Sequence, residues 1–218
     1  MSHRANFDSL ARGYSTFEWL AFGRGLERAR FCLLDHLRDC RDILLLGDGD
    51  GRCLAQLAKV APNARLHYVD ASPAMLARAK SRLNEPEHAR VTFTCADVFR
   101  WNPPLTSYDA IVTLFFLDCF SEADVKALVS KVQPALRPGA HWLWADFVLP
   151  ARGMARWRAQ AWLCVMYTFF RWQTGLTTRV LPASEKILGA ANWQPLAAQE
   201  FHGIFVRSAV FSQPGCLS

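Results

Sequence analysis

The chain predicts an α/β fold, a mostly parallel sheet covered by helices on both faces and finished by an antiparallel hairpin. Apolar runs of strand length alternate with helical patterns, the signature of parallel strands joined by crossover helices. A glycine-rich turn, GDGDG at 47–51, follows directly on the first apolar run, DILLL. Late in the chain, two further runs flank His202–Gly203, a two-residue turn ending in glycine that suggests a hairpin.

Taken in order, Phe17 to Leu37 reads as an amphipathic helix, with Phe22, Leu26, Leu33 and Leu37 close to helical spacing. Strands are expected at Ile43–Leu46, Arg65–Val69, Val91–Cys95, Ala110–Leu114 and His141–Phe147. Helices are expected between them at Arg52–Lys59, Pro73–Leu83 and Ala123–Ala135, the last stopped by Pro138 and Gly139 in ALRPG. Arg152 to Gln173 reads as a long helix rich in aromatics and arginine. Gln194–Phe201 and Ile204–Phe211 form the expected hairpin.

Composition bounds the class. A chain of 218 residues, 51% hydrophobic and 20% charged, fits one domain that buries its core without disulfides or metals. The net charge of +6 permits contact with anions, lipid surfaces or nucleic acid and selects none of them. Of seven cysteines, no pair is spaced C-x-x-C, and Cys32 and Cys164 lie inside apolar runs. That pattern suits a reducing cytoplasm and predicts no metal site. The N-terminal MSHRANFDSL lacks a signal-peptide core, and the longest apolar stretch, Ala159 to Phe170, is too short to span a membrane.

A strand, a glycine turn and a helix N-terminus make a ligand site outside the carboxyl ends of the strands. For a dinucleotide the spacing should be G-x-G-x-x-G; here Gly47, Gly49 and Gly51 are followed by Arg52, where a third glycine is wanted. Downstream, Asp70 at the tip of the second strand can accept ribose hydroxyls. Met75 is placed to lie against an adenine face, and Asp97, at the tip of the third strand, to reach an adenine amino group. The fourth strand ends beside the same cleft.

With these residues in place, the chain resembles the class I S-adenosylmethionine-dependent methyltransferases. The resemblance rests on GDGDG (47–51), VDASPAML (69–76), ADVF (96–99), YDAIVTLFFLDCF (108–120) and LRPGAHWLWADF (136–147), in order over about two-thirds of the chain. It implies a Rossmann-like fold with a seven-stranded, mostly parallel sheet ending in an antiparallel hairpin. Within a single domain it implies an N-terminal helical lid over 1–40, a cofactor-binding core over 41–150, a helical acceptor-site cover over 151–180 and the hairpin over 190–212. The implied cofactor is S-adenosylmethionine, with S-adenosylhomocysteine as product. Its implied contacts are Tyr14, Gly47, Asp48, Gly49, Gly51, Asp70, Ala71, Met75, Asp97, Val98, Thr113 and Phe115.

The opening FDSLARGYSTFEWL resembles the FDxxAxxYD segment of the ubiquinone/menaquinone C-methyltransferases and their small-molecule relatives. It implies a lid containing Phe7 and Tyr14, with Ser15 where that pattern has aspartate. Leu45 also departs from the family, which carries there an acid that helps hold the cofactor's ammonium. Asp48 is the expected substitute and Asp50 the second; the plain alternative is that both are solvated turn residues.

Asp118, just past the fourth strand, is a candidate base or cation-binding acid near the transferred methyl group, or else a helix N-terminal acid beside Ser121 and Glu122. Asp146, at the end of the fifth strand, points toward the acceptor side or pairs with an arginine of the following helix. With Tyr14 these make the candidate catalytic set. Asn102-Pro103-Pro104 precedes the fourth strand and reads as a turn rather than a base-binding motif, which argues against a nucleic-acid partner. His141 and His202 read as structural and exposed, respectively. The 152–173 segment is expected to roof the active site. Its aromatics suit an apolar acceptor pocket or, with its arginines, peripheral membrane contact.

The expected activity is therefore transfer of a methyl group to a small, largely apolar acceptor such as a quinone, aromatic or lipid-like molecule. Two rivals are a nicotinamide-dependent oxidoreductase and a non-catalytic binding protein that keeps the fold.

Overall fold

A computed structural model describes residues 25–149, 181–201 and 205–213. Seven strands form one sheet: β1 (Asp42–Leu46), β2 (Arg65–Asp70), β3 (Val91–Cys95), β4 (Tyr108–Leu114), β5 (Leu136–Phe147), β6 (Gln194–Phe201) and β7 (Val206–Ser212). Their order is β3-β2-β1-β4-β5-β7-β6. β1 to β5 pair in parallel, and β7 is antiparallel to both β5 and β6. The helices are α1 (Gly25–Phe31), α2 (Arg52–Val60), α3 (Pro73–Ser81), α4 (Glu85–His88), α5 (Glu122–Val132) and α6 (Ser184–Ala190).

The period-two alternation of β1 sorts its side chains to two faces. Ile43 and Leu45 join Cys53, Leu54 and Leu57 of α2 in one core layer. Leu44 and Leu46 join Trp142, Trp144 and Trp193 with Val125 and Val129 of α5 in the other. Burying each leucine contributes about 1.5–3 kcal/mol. The chain leaves β1 toward β2 and β3, then crosses to β4 on the other side of β1. The crevice at that reversal is where an open α/β sheet takes its ligand.

Several expected boundaries change, three of them with a clear structural cause. The helix expected over Phe17–Leu37 breaks within the described residues: α1 ends at Phe31 and a separate 3₁₀ turn covers Leu34–Leu37. α1 packs on β7, with Ser208 Oγ donating to Ala29 O at 2.6 Å, and also touches α2, while the 3₁₀ turn packs on α2. β5 begins at Leu136 rather than His141. Leu136 pairs with Tyr108 and His141 with Ala110, so Arg137–Ala140 form a bulge, with Gly139 at φ +77°. At the hairpin, Phe201 pairs with Val206, which leaves four connecting positions instead of the two of His202–Gly203. Tyr14, His202 and the 152–173 segment lie outside the described residues.

Candidate functional site

The three loop glycines all adopt positive φ, +62° at Gly47, +67° at Gly49 and +78° at Gly51, a conformation costly for other residues. Their surroundings differ. A Cβ on Gly47 would enter the Phe116 ring, and one on Gly51 would sit 2.5 Å from Ala79 Cα. Around Gly49 a Cβ would meet no atom of the described residues within 4 Å. Gly47 and Gly51 therefore serve close packing, against the exit of β4 and against α3. Gly49 is the glycine whose open face a ligand can approach, and its carbonyl accepts from Tyr68 Oη.

Asp48 follows Gly47, and its Oδ2 accepts from Leu54 N at 2.9 Å, which turns the carboxylate onto the first turn of α2. Burial pushes its pKa up to about 7, with Asp50 adding to the rise while the Leu54 N–H and the Arg30 charge oppose it. Asp50, the second candidate for the acid missing at Leu45, has another role. Its carboxylate binds Arg52 Nε at 3.1 Å and Arg82 Nη2, tying the loop to α2 and α3. Leu45 itself is 0% exposed in the α2-side core, a position that holds no charge toward the crevice.

At the tip of β2, Asp70 Oδ1 accepts from Ser72 N at 2.8 Å, and Ser72 caps α3 by accepting from Met75 N at 3.2 Å. Ala96 N bonds Asp70 O at 3.0 Å, which sets Asp97 beside it at the end of β3. Asp97 Oδ1 accepts from Phe99 N at 3.0 Å. Ala71 is exposed, whereas Met75 and Val98 are buried. Thr113 corrects the expectation made for it: it is fully buried and its Oγ1 accepts from Trp142 Nε1 at 2.8 Å, so the side chain belongs to the core and not to a ligand.

At the exit of β4, Phe115 takes φ +53°, an outlier for so bulky a residue, and the next ring is thrown onto Gly47. A 3₁₀ turn over Leu117–Cys119 follows, holding Asp118 at 8% exposure. The helix cap there is Ser121, which accepts from Asp124 N, so Asp118 is not a helix N-terminal acid. Burial raises its pKa to about 6, against hydrogen bonds from Cys119 and the pull of Arg30. Asp146, 2% exposed, accepts from Trp144 Nε1 through Oδ2. Burial first and then the Asp118 charge push its pKa well up.

Arg30 is a buried cation beside the candidate site that motif reading missed. It is 7% exposed on α1, its Cζ lies 5.0 Å from the Phe115 ring centre, and its charge acts on both Asp48 and Asp118. The available signal was an arginine on the apolar stripe of Leu26, Ala29 and Leu33. Phe99, Phe116 and Phe120 stack edge to face nearby, at 5.1 and 5.0 Å. Among the described residues no group of three or more histidine, cysteine or acidic side chains is placed to hold a metal.

A glycine loop at the switch point, an acid at the tip of β2 and the terminal antiparallel hairpin define a Rossmann-like methyltransferase fold. Residues 43–139, somewhat under half of the chain, match the "Methyltransferase domain" family, in keeping with a class I S-adenosylmethionine-dependent methyltransferase. Over 148 residues it is 27% identical to 6-hydroxytryprostatin B O-methyltransferase of Neosartorya fischeri, covering 63% of this chain and 35% of that one. It is 28% identical over 139 residues to the human tRNA N(3)-cytidine methyltransferase, covering 58% and 48%. The aligned region thus spans less than half the length of either relative. Among solved structures, the N-methyltransferase NodS of Bradyrhizobium japonicum, in complex with S-adenosylhomocysteine, superposes with a TM-score of 0.59 at 19% identity over 88% of each chain.

Proposed function

We propose that the protein transfers a methyl group from S-adenosylmethionine to a small, largely apolar acceptor. The observation that carries this reading is the Gly49 crevice, open at the switch point and flanked by the carboxylates of Asp48 and Asp70. The chain fits the cofactor's chemistry there. Asp48 is a partly buried acid whose ionisation an ammonium would favour, and Asp70, whose Oδ1 accepts from Ser72 N and Oδ2 from Tyr68 Oη at 3.4 Å, is the acid placed for the ribose hydroxyls. Ala71, Met75, Asp97 and Val98 are the adenine-side residues, and Phe115 with Gly47 the methionine-side ones. When bound, the cofactor supplies an electrophilic methyl on a sulfonium, so the protein's work is positioning and exclusion of water. The phenylalanines behind the β4 exit supply an apolar wall for the acceptor.

The two curated relatives act, by their names, on a fungal small molecule and on tRNA. The apolar wall favours the small molecule here, and the proposal includes no nucleic-acid partner and a cytoplasmic location with the 152–173 segment as acceptor cover or peripheral membrane contact. Titration calorimetry tests the reading. S-adenosylmethionine and S-adenosylhomocysteine should bind, NAD should not, and Asp70→Ala should weaken both sulfur ligands by about tenfold or more. Tight NAD binding, or no binding of either sulfur ligand at millimolar concentration, would overturn it. Stoichiometric tRNA binding with methyl incorporation would replace the small acceptor with a nucleic acid.

A further inference from the structure

The glycine loop is fastened from one side of the crevice. Gly49 O accepts from Tyr68 Oη at 2.5 Å, and the next carbonyl, Asp50 O, accepts from Arg82 Nε at 2.6 Å. Arg82 Nη2 also binds the Asp50 carboxylate, which Arg52 Nε holds at 3.1 Å. Tyr68 belongs to β2, and Arg82 caps the carboxyl end of α3. These are the elements that carry Asp70, Met75 and the Ser72 cap. Two consecutive loop carbonyls are thereby tied to the ribose and adenine side.

Strand geometry explains why a tyrosine can do this. Side chains two apart on a strand share a face, so Tyr68 stands on the face of Asp70, with its Oη 3.4 Å from Asp70 Oδ2. In the parallel register its neighbour on β1 is Leu45, apolar and fully buried, so the phenol is the polar contact that this pair of positions makes. Burial first, and then the charges of Asp48, Asp70 and Asp50, push the phenol's pKa far up. It keeps its single proton, and the shorter distance gives that proton to Gly49 O rather than to Asp70. In a trans peptide the C=O and the following N–H point opposite ways, so the Asp50 N–H is turned away from the phenol. Gly49, at φ +67°, has no side chain to restrain the turn, and the two carbonyl bonds supply that restraint from outside.

We infer that Tyr68 and Arg82 are positioning residues that hold the Gly49–Asp50 segment in the shape required by the methionine half of the methyl donor, and that the adenosine half binds without them. This rests on the methyl-donor reading above and deepens it by dividing the site into two halves. Each residue acts through a loop carbonyl and not on the transferred methyl. A loop released from them must be ordered when the ligand binds, and that entropy is lost from the affinity. The half of the ligand that meets the loop bears the loss. Asp70 keeps its bond from Ser72 N when the hydroxyl is removed, so the ribose side is spared.

Titration calorimetry with two ligands reads the halves separately. S-adenosylhomocysteine carries both, whereas 5′-methylthioadenosine has the adenosine and thioether without the aminocarboxylate. Tyr68→Phe should weaken S-adenosylhomocysteine by about tenfold and leave methylthioadenosine within about twofold. Arg82→Met should act in the same direction by less, because Arg52 still holds the Asp50 carboxylate. Arg82→Lys, which keeps a cation able to donate to Asp50 O, should recover part of that loss. Asp70→Ala, by contrast, should weaken both ligands. Equal loss of the two ligands in Tyr68→Phe, or no loss of either, would overturn the inference. So would a wild type that binds S-adenosylhomocysteine but not methylthioadenosine, since the adenosine side would then be no site of its own. If Tyr68→Phe does not fold, Arg82→Met, at a side chain 41% exposed, decides by the same comparison. Failure of S-adenosylhomocysteine to bind the wild type would instead overturn the methyl-donor reading.

Discussion

At the amino end of the sheet, Arg137 Nη1 reaches Asp42 at 3.0 Å and Asp109 at 2.7 Å, while Arg65 binds Asp42 through Nε at 2.7 Å and Nη2 at 2.9 Å. At the carboxyl end, among the described residues, the Arg30 charge acts on Asp48 and Asp118, and the Asp118 charge on Asp146. The first set is half open to solvent and evenly paired. Burial there is outweighed by the arginine hydrogen bonds, so Asp42 and Asp109 sit below the usual carboxylate range. The second set is buried and acid-rich, so burial wins and all three carboxyls rise. One end is governed by arginine pairing near solvent; the other is governed by burial. Strongly raised carboxyls of that kind are candidates for a ligand site, whereas depressed, arginine-paired ones are ordinarily structural.

The largest effect expected from breaking the carboxyl end comes from its backbone. Gly51→Ala combines positive φ with a Cβ 2.5 Å from the Ala79 backbone, where α2 and α3 meet. It should cost about 3 kcal/mol or more. Gly49→Ala carries the strain of φ +67° into open space and should cost about 1 kcal/mol. Urea denaturation compares the two. If they lose equal stability, the division between a packing glycine and a ligand-facing one is wrong.

A smaller effect sharpens the electrostatic half of the comparison. Asp48 is raised to about 7, so the folded protein holds a proton that the unfolded chain gives up in the ordinary carboxylate range. Stability therefore falls as pH rises from that range to about 7 and is flat above it. Asp48→Asn removes the charge yet keeps an oxygen for the Leu54 N–H. It should melt higher than the wild type at pH 8, by about 3 °C if roughly 1 kcal/mol is recovered, and no higher at pH 4. It should also bind S-adenosylmethionine more weakly, which would mark the acid as retained for the ligand. A lower melting temperature at pH 8 would show that pairing with Arg30 outweighs burial.

Much of this was legible in the residues, and the exceptions have physical causes. Apolar runs of strand length marked β1 to β5; β1 and β4 are almost wholly buried, whereas β3, at the edge of the sheet, buries none of its residues. The beginning of β5 was hidden because Pro138 and Gly139 normally end an element, and only the pairing of Leu136 with Tyr108 turns them into a bulge. The break after Phe31 was hidden for a similar reason. Leu33 and Leu37 keep helical spacing, while only the first half reaches β7 in addition to α2. At the site, the departure at Leu45 pointed to Asp48. It could not show that Asp50 is held by Arg52 and Arg82, since Arg82 lies 32 residues away. Thr113 looked like a cleft residue from its place at the end of β4, and the partner that buries it, Trp142, comes from another strand. Local pattern shows which residues are unusual; three-dimensional pairing decides which of those remain available to a ligand.

The smallest expected effect belongs to the amino end. Arg137→Met keeps the stem over the β5 bulge and removes the charge bridging Asp42 and Asp109. Both acids are depressed, so their contribution is present above the ordinary carboxylate pKa and is lost as the pH falls through their folded values. The side chain is 36% exposed and Arg65 still holds Asp42, so the cost near neutral pH should be no more than about 1 kcal/mol. The deficit should shrink in high salt and vanish at strongly acid pH, where wild type and variant both carry neutral carboxyls. Affinity for S-adenosylhomocysteine should be unchanged, because the bulge lies at the opposite end of β5 from Asp146. A matching loss of affinity would mean that the sheet couples its two ends and that the amino-end network supports the ligand site as well as the fold.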